Sequence, residues 1–345
     1  MNADTRRCRR VKRANRRLVT ALAALLCFAL VVPVYGQAPR GVALTPRHFP
    51  NHTMADVDES FRLARELGRH AVFIYQWGEL DRDVVKTMLS KAAQSRLVAI
   101  VGLSPTTLDQ GRKELDLPAS LRARAASNLS FSNPLIRSAY VEAATELARL
   151  KPPYLCLATE INLLGLQKLS EYLHFVSLYK EAYQAVKRVS PATSVFVSFQ
   201  WEWVRILDAR EPNRITDHSK LIHIFRPELD LVAITTYPSP FHETPARLPP
   251  DYYTWMFRHI PARDPVMIME AGWPTAGTGS EAEQVAYLER LPGLLKGINL
   301  VGFEWALLHD VQVGSFDANL NTVGLRYRDG RPKPAYDRFR SLKLR

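Results

Sequence analysis

Val266-Met-Ile-Met-Glu270-Ala-Gly-Trp-Pro-Thr275 decides how this chain folds. Four apolar residues follow one another with no polar residue between them, the pattern of a strand buried on both faces. Such strands belong to parallel sheets covered by helices, and this one stops on a carboxylate. Working outward, the pattern recurs. Strands are expected at Gly41–Arg47, His70–Trp77, Arg96–Ser104, Tyr154–Asn162, Thr193–Trp201, Leu229–Pro238, Pro265–Trp273 and Leu300–His309. Helical periodicity fills the gaps at Met54–Leu67, Asp81–Gln94, Leu135–Leu150, Leu169–Val189 and Glu281–Leu295, with a last amphipathic piece at Ala335–Leu342.

Eight strand candidates alternating with helices match the rhythm of a (β/α)8 TIM barrel, an α/β fold. A doubly wound open sheet is the alternative, but no Gly-rich phosphate loop follows an early strand. No linker or repeat interrupts residues 37–345, which read as one domain. The long polar stretch Leu103–Asn133 reads as an insertion at the barrel mouth.

Composition narrows the function. Of 345 residues, 47% are hydrophobic, which excludes a disordered polymer. Three cysteines, Cys8, Cys27 and Cys156, are too few for a disulfide scaffold or a metal–thiolate cluster. The net charge of +12 is concentrated at the front, where residues 1–36 carry eight basic residues and one acid. Beyond them stand 38 basic against 33 acidic residues, a surplus of only 5, so no nucleic-acid partner is expected. The basic cluster precedes the apolar run Leu18–Tyr35, the layout of a signal peptide cut near Gln37 or after Ala38. An uncleaved signal anchor is the alternative, and a retained leader is the one expected membrane contact. Either way the body is expected to be secreted or periplasmic, or tethered outside the cytoplasm, and to act as a monomer.

In a barrel, chemistry gathers where the strands end. Glu160 and Glu270 each close an apolar strand, the fourth and the seventh, which face each other across eight strands. Burying a carboxylate there without a partner costs several kcal/mol. Two glutamates on opposite walls of one mouth suit glycosidic cleavage, where one acid protonates the leaving oxygen and one carboxylate meets the sugar carbon. The alternative is a pair of structural ion pairs with barrel-end arginines such as Arg47. Trp77, Trp201, Trp203, Trp273 and Trp305 all fall at or just after strand ends, where an indole face can carry a sugar ring. Nine histidines show no HxH or HExxH spacing, so neither a metal nor another cofactor is expected; His48 and His309 read as surface or structural residues.

These residues carry a resemblance. Glu270-Ala-Gly-Trp-Pro-Thr resembles the nucleophile strand of clan A retaining glycoside hydrolases, nearest in motif to the family 53 endo-β-1,4-galactanases and the family 17 β-1,3-glucanases. Leu157-Ala-Thr-Glu160-Ile-Asn resembles the clan's strand-four segment, and Asp329-Gly-Arg-Pro-Lys-Pro-Ala-Tyr-Asp its closing segment. The resemblance implies that Glu160 is the acid/base and Glu270 the nucleophile. It also implies that Tyr237 hydrogen-bonds the nucleophile and that Trp305 is a sugar platform. Trp273, Trp77, Trp201, Asn162, Gln200 and Arg47 complete the expected substrate-binding set, with Arg47 standing in for the clan's strand-two arginine. Thr159 departs from the clan, which has asparagine there to contact the sugar 2-hydroxyl. The expected partner is a β-linked polysaccharide or oligosaccharide, galactan or glucan among the candidates, cleaved with Glu160 as the protonated member of the pair. A catalytically silent carbohydrate-binding barrel in exopolysaccharide metabolism is the alternative.

Overall fold

In this computed structural model the described residues are 37–108, 111–125, 128–204, 219–258, 260–314 and 319–344. The leader read from residues 1–36 lies outside them. Every strand pairing is parallel. The strands are β1 (Arg40–Ala43), β2 (His70–Gln76), β3 (Val98–Ser104), β4 (Tyr154–Cys156), β5 (Ser194–Phe196), β6 (Ser198–Gln200), β7 (Val232–Thr236), β8 (Val266–Ala271) and β9 (Leu300–Trp305). Their order is β5-β4-β3-β2-β1-β9-β8-β7-β6, and β5 and β6 are separated only by Val197. Residues 194–200 are thus one barrel strand that pairs with β4 through its first half and β7 through its second, closing a ring of eight. The TIM barrel expected from the sequence is the fold observed.

The helices form because their apolar stripes need the outer faces of the strands. Helix α1 (Met54–Leu67) starts from a capping box in which the Thr53 hydroxyl accepts from Asp56 N–H, and the Asp56 carboxylate accepts from Thr53 N–H. Arg47 donates to that same carboxylate at 2.8 Å. Helices α2 (Arg82–Gln94), α3 (Ala119–Ala125), α4 (Pro134–Arg149), α5 (Asn162–Gln167), α6 (Leu169–Val189), α7 (Ser219–His223), α8 (Glu281–Leu294) and α9 (Pro334–Ser341) follow. Among the described residues no helix is long and apolar enough to cross a membrane.

Several strands are shorter than their apolar runs. The fourth was expected to continue to Asn162 but ends at Cys156, and Asn162 opens a helix. The eighth stops at Trp305 rather than His309. Glu304 pairs in register with Gly41, which in turn pairs with His70 at the first position of β2. It therefore lies deep in the barrel, where its carboxylate meets His70 Nδ1 at 2.6 Å. A Cβ on Gly41 would stand 2.5 Å from the Glu304 carboxylate and 2.2 Å from the His70 carbonyl oxygen, so glycine is what admits this pair. Gly41→Ala is expected to destabilise the fold by about 2–3 kcal/mol through overpacking. Urea unfolding monitored by tryptophan fluorescence checks this.

Candidate active site

Two local irregularities place the acids. Residues Leu157, Ala158 and Thr159 continue the line of β4 in buried positions, and then Glu160 turns into the left-handed region at φ 52°. For a residue with a Cβ that conformation costs about 1–2 kcal/mol. It is held by the next strand. Glu160 N–H donates to Ser198 Oγ at 3.0 Å, and Ile161 N–H to the Ser198 carbonyl at 3.1 Å.

The second irregularity is in β8. Ile268 pairs with Ile234 and Phe303, yet Glu270 pairs with Thr235 and Ala271 with Trp305. β8 thus holds one residue more than either neighbour over this span. Side chains alternate faces with a period of two, so Glu270 would otherwise share the outward face of Ile268. The bulge turns it inward, onto the face of Thr235.

Both carboxylates then meet named partners. Arg112 Nη2 donates to Glu160 Oε2 at 2.9 Å, and Thr235 Oγ1 donates to Oε1 at 2.8 Å. Tyr237 OH donates to Glu270 Oε2 at 2.6 Å. Glu270 is pushed up to about 7, first by burial and then by the charge of Glu160, against the opposing pulls of Tyr237 and Arg112. The sequence reading gave the protonated role to Glu160; the upward push falls on Glu270. Burial first, and the neighbouring glutamates second, hold the Tyr237 phenol well above its ordinary range, which keeps it a neutral donor.

Arg112 comes from the loop after β3. That loop is pinned by an antiparallel bridge between Thr106 and Leu115 and by Thr107 N–H donating to Glu114 at 3.0 Å. Arg112 Nη1 also approaches Ser104 Oγ at 3.4 Å, and Thr159 donates to that same oxygen at 3.2 Å. Thr159, the departure from the clan pattern, thereby joins the Arg112 network. Gln76 Nε2 donates to the Thr106 carbonyl, while Gln76 Oε1 and Thr106 Oγ1 are buried without a hydrogen-bond partner.

A third acid supports the site from behind. Glu202 is buried and accepts from Gln200 Nε2 at 2.8 Å, Thr236 Oγ1 at 2.5 Å, Tyr252 OH at 2.8 Å and Tyr237 N–H at 3.1 Å. It holds the backbone of the tyrosine that holds Glu270.

The structure brings Glu160, Glu270 and Tyr237 together, but it sends other expected site residues elsewhere. Arg47 is engaged with Asp56 at the start of α1, and Arg112 supplies the guanidinium at the mouth. Trp305 has no exposed surface: its N–H donates to the Val323 carbonyl at 2.7 Å and its ring lies edge-on to Phe339. Trp273 is equally buried, packed on Tyr287. Trp77 packs edge-on to Tyr140, and Trp201 donates to Tyr252 O and packs against Trp255. A platform needs an open face, so these four rings are corrected to packing residues in this structure. Trp203 is the exception at 37% exposure, edge-on to Phe241 on the neighbouring rim loop. Asn162 and Gln200 are tied together, Asn162 Oδ1 accepting from Gln200 N–H at 2.8 Å and Nδ2 donating to Gln200 O at 3.1 Å. The Gln200 side chain then bridges Glu202 and Trp203 N–H. His309 holds the Thr45 carbonyl at 2.8 Å, and burial above all lowers it to about 4.

Arg112, Thr235, Ser198 and Glu202 were missed from sequence. Glu202 carried a weak signal, a lone acid between two tryptophans just past an apolar strand. Arg112 carried none, because nothing in a polar loop marks which arginine turns inward.

No family model matches the chain, and no curated protein matches it. Solved structures do. The chain is similar to a GH5_18 protein from Streptomyces cattleya, with TM-score 0.70 and 17% identity over 89% of this chain and 79% of that one. It is also similar to the GH53 catalytic domain from Ignisphaera aggregans, with TM-score 0.62 and 15% identity over 90% and 98% of the two chains. A third match is an exo-β-1,4-mannosidase from Opitutaceae bacterium strain TAV5, with TM-score 0.67, 17% identity and 88% of this chain covered; the match spans 58% of that enzyme.

The likeness is one of fold, a TIM barrel shared with these glycoside hydrolases.

In this barrel the raised Glu270 carboxyl links stability to pH. Its folded value lies above the usual carboxylate range, so its contribution is fully present at pH 4 and is lost as pH rises through about 7. Glu270→Gln removes that loss. The variant is expected to be about 1–3 kcal/mol more stable than the parent at pH 8 and nearly equal to it at pH 4.5. Melting temperatures across that range check the sign.

Proposed function

We propose that this chain is a retaining glycoside hydrolase working by double displacement. The observation that carries the reading is the pairing at the mouth: two inward glutamates, Glu270 feeling the charge of Glu160 and of Arg112, and Glu160 bonded to that same arginine. Glu270 attacks the anomeric carbon while Glu160 gives its proton to the departing oxygen. Water then attacks the same carbon, Glu160 takes the water's proton, and Glu270 leaves with the bonding pair. Retention requires carboxyl groups roughly 5–5.5 Å apart.

A β-linked saccharide is the substrate class this reading favours. The structures similar in fold include the exo-β-1,4-mannosidase and a Streptomyces cattleya GH5_18 variant in complex with Manβ1-4GlcNAc, so β-mannosides join galactan and β-glucan on the test panel. Trp203 and Phe241 offer the open aromatic surface at the rim. The basic and apolar leader assigns this activity, in the same proposal, to the outside of the cytoplasm. Thr159 in place of asparagine favours one second reading, a carbohydrate-binding barrel without turnover. An activated aryl glycoside assay separates the two.

Glu270→Gln is expected to lower kcat on 2,4-dinitrophenyl glycosides by at least about 10⁴-fold while leaving sugar binding measurable by calorimetry. With these substrates, whose leaving group needs no acid, kcat/KM should rise with pH through about 7 as Glu270 ionises. Tyr237 lowers Glu270, so Tyr237→Phe moves that limb to higher pH. Full activity of Glu270→Gln on a polysaccharide would overturn the assignment.

Trp203→Ala is expected to raise KM for an oligosaccharide by about tenfold, near 1–1.5 kcal/mol of lost stacking, with KM for an aryl monosaccharide little changed. Initial-rate kinetics on matched substrates of one and four sugar units check this.

A further inference from the structure

The two carboxylates are not held alike. Glu160 accepts on both oxygens, from the Arg112 guanidinium on one and the Thr235 hydroxyl on the other. A carboxylate matches two donors and a fixed positive charge; a carboxylic acid, which must itself donate from one oxygen, does not. Arg112 has little room to retreat, since its side chain is 8% exposed and its loop is pinned at both sides. Glu270 receives one neutral donor, Tyr237, in otherwise desolvating surroundings. The buried Cys156 thiol feels the Glu270 charge, and Glu202 faces Tyr237 from behind.

Retaining hydrolysis needs two charge arrangements in turn. The first half-reaction needs a proton on Glu160 and a charge on Glu270. The second needs Glu270 neutral, as its glycosyl ester, and Glu160 charged. Resting on the retaining reading above, we propose that Arg112 is a positioning residue that holds Glu160 as the carboxylate, so that the resting proton of the pair sits on Glu270. Glycosidic cleavage then starts from the minor arrangement, in which the proton has crossed to Glu160 and Glu270 has become the free nucleophile. No atom is gained or lost in that crossing; one proton changes carboxylate. The hydrolytic half-reaction meets its charge arrangement already assembled.

Substrates that need an acid and substrates that do not must therefore respond oppositely. For the wild type, kcat/KM on a 4-methoxyphenyl β-glycoside should fall above pH about 7, where the pair loses its last proton, while kcat/KM on the 2,4-dinitrophenyl β-glycoside rises through the same region.

The experiment uses the purified chain with 4-methoxyphenyl and 2,4-dinitrophenyl β-glycosides of mannose, galactose and glucose. Arg112→Met should raise the ratio of kcat/KM for the methoxyphenyl over the dinitrophenyl substrate at pH 6.5 by about fivefold or more, because more of the pair then carries its proton on Glu160. Arg112→Lys should restore the wild-type ratio, and Thr235→Val should move it the same way by a smaller factor. Carboxyl carbon NMR of glutamate-labelled protein, assigned with Glu160→Gln and Glu270→Gln, should find Glu270 as the group titrating near neutrality. Equal loss on both substrate classes in Arg112→Met, or Glu160 as the neutral titration, overturns the inference. If Arg112→Met does not fold, Thr235→Val and the NMR assignment decide. A wild type that cleaves no panel substrate, or yields the inverted anomer, overturns the retaining reading as well. Retention without the crossed response overturns only the role of Arg112.

Discussion

A parallel barrel has no wet face, and that constraint governs every acid that points into this one. Water cannot solvate a carboxylate inside a closed ring of strands, so the chain must pair it, surround it with donors or leave it protonated. Each solution is present. Glu304 pairs with His70 deep in the barrel, in space that Gly41 and Gly302 leave open. Glu202 gathers four hydrogen-bond donors. Glu160 meets Arg112 and Thr235, while Glu270 has only Tyr237 and takes up the proton instead.

The sequence showed which strands existed because burial on both faces writes an unbroken apolar run, and eight such runs between amphipathic stretches admit few other closed arrangements. It showed Glu160 and Glu270 for the same reason, as charges ending apolar runs. It could not show that Glu270 faces inward. Simple alternation from Ile268 puts that side chain among the helices, and the extra residue that reverses it is visible only in the pairing register. Nor could it show where Glu304 sits. Register with Gly41 and His70 puts it far below the mouth.

The tryptophans illustrate the opposite error. Five indoles near strand ends suggested five surfaces for sugar, yet a strand end has an inner and an outer side. Trp77, Trp201, Trp273 and Trp305 fill volume against Tyr140, Trp255, Tyr287 and Phe339. Position along a strand says little about which side an aromatic ring takes, and four of the five find a partner that excludes water. Trp203 differs in keeping 37% of its surface exposed, with Phe241 edge-on beside it.

Stability and chemistry pull against each other at two atoms here. Glu160 sits in a backbone conformation that its side chain disfavours, and Glu270 in surroundings that disfavour its charge. Neither burden would survive if folding alone chose the residues. A glycine at 160 would relax the backbone, and a glutamine at 270 would remove the desolvated charge. Their coexistence, with one loop arginine bonded to Glu160 and its charge felt by Glu270, fits the proposed site. The same reasoning explains why the arginine comes from a loop. A strand residue would be fixed in register with one acid, whereas the segment between Thr106 and Leu115 can set a guanidinium beside Glu160 and still leave Glu270 within its field.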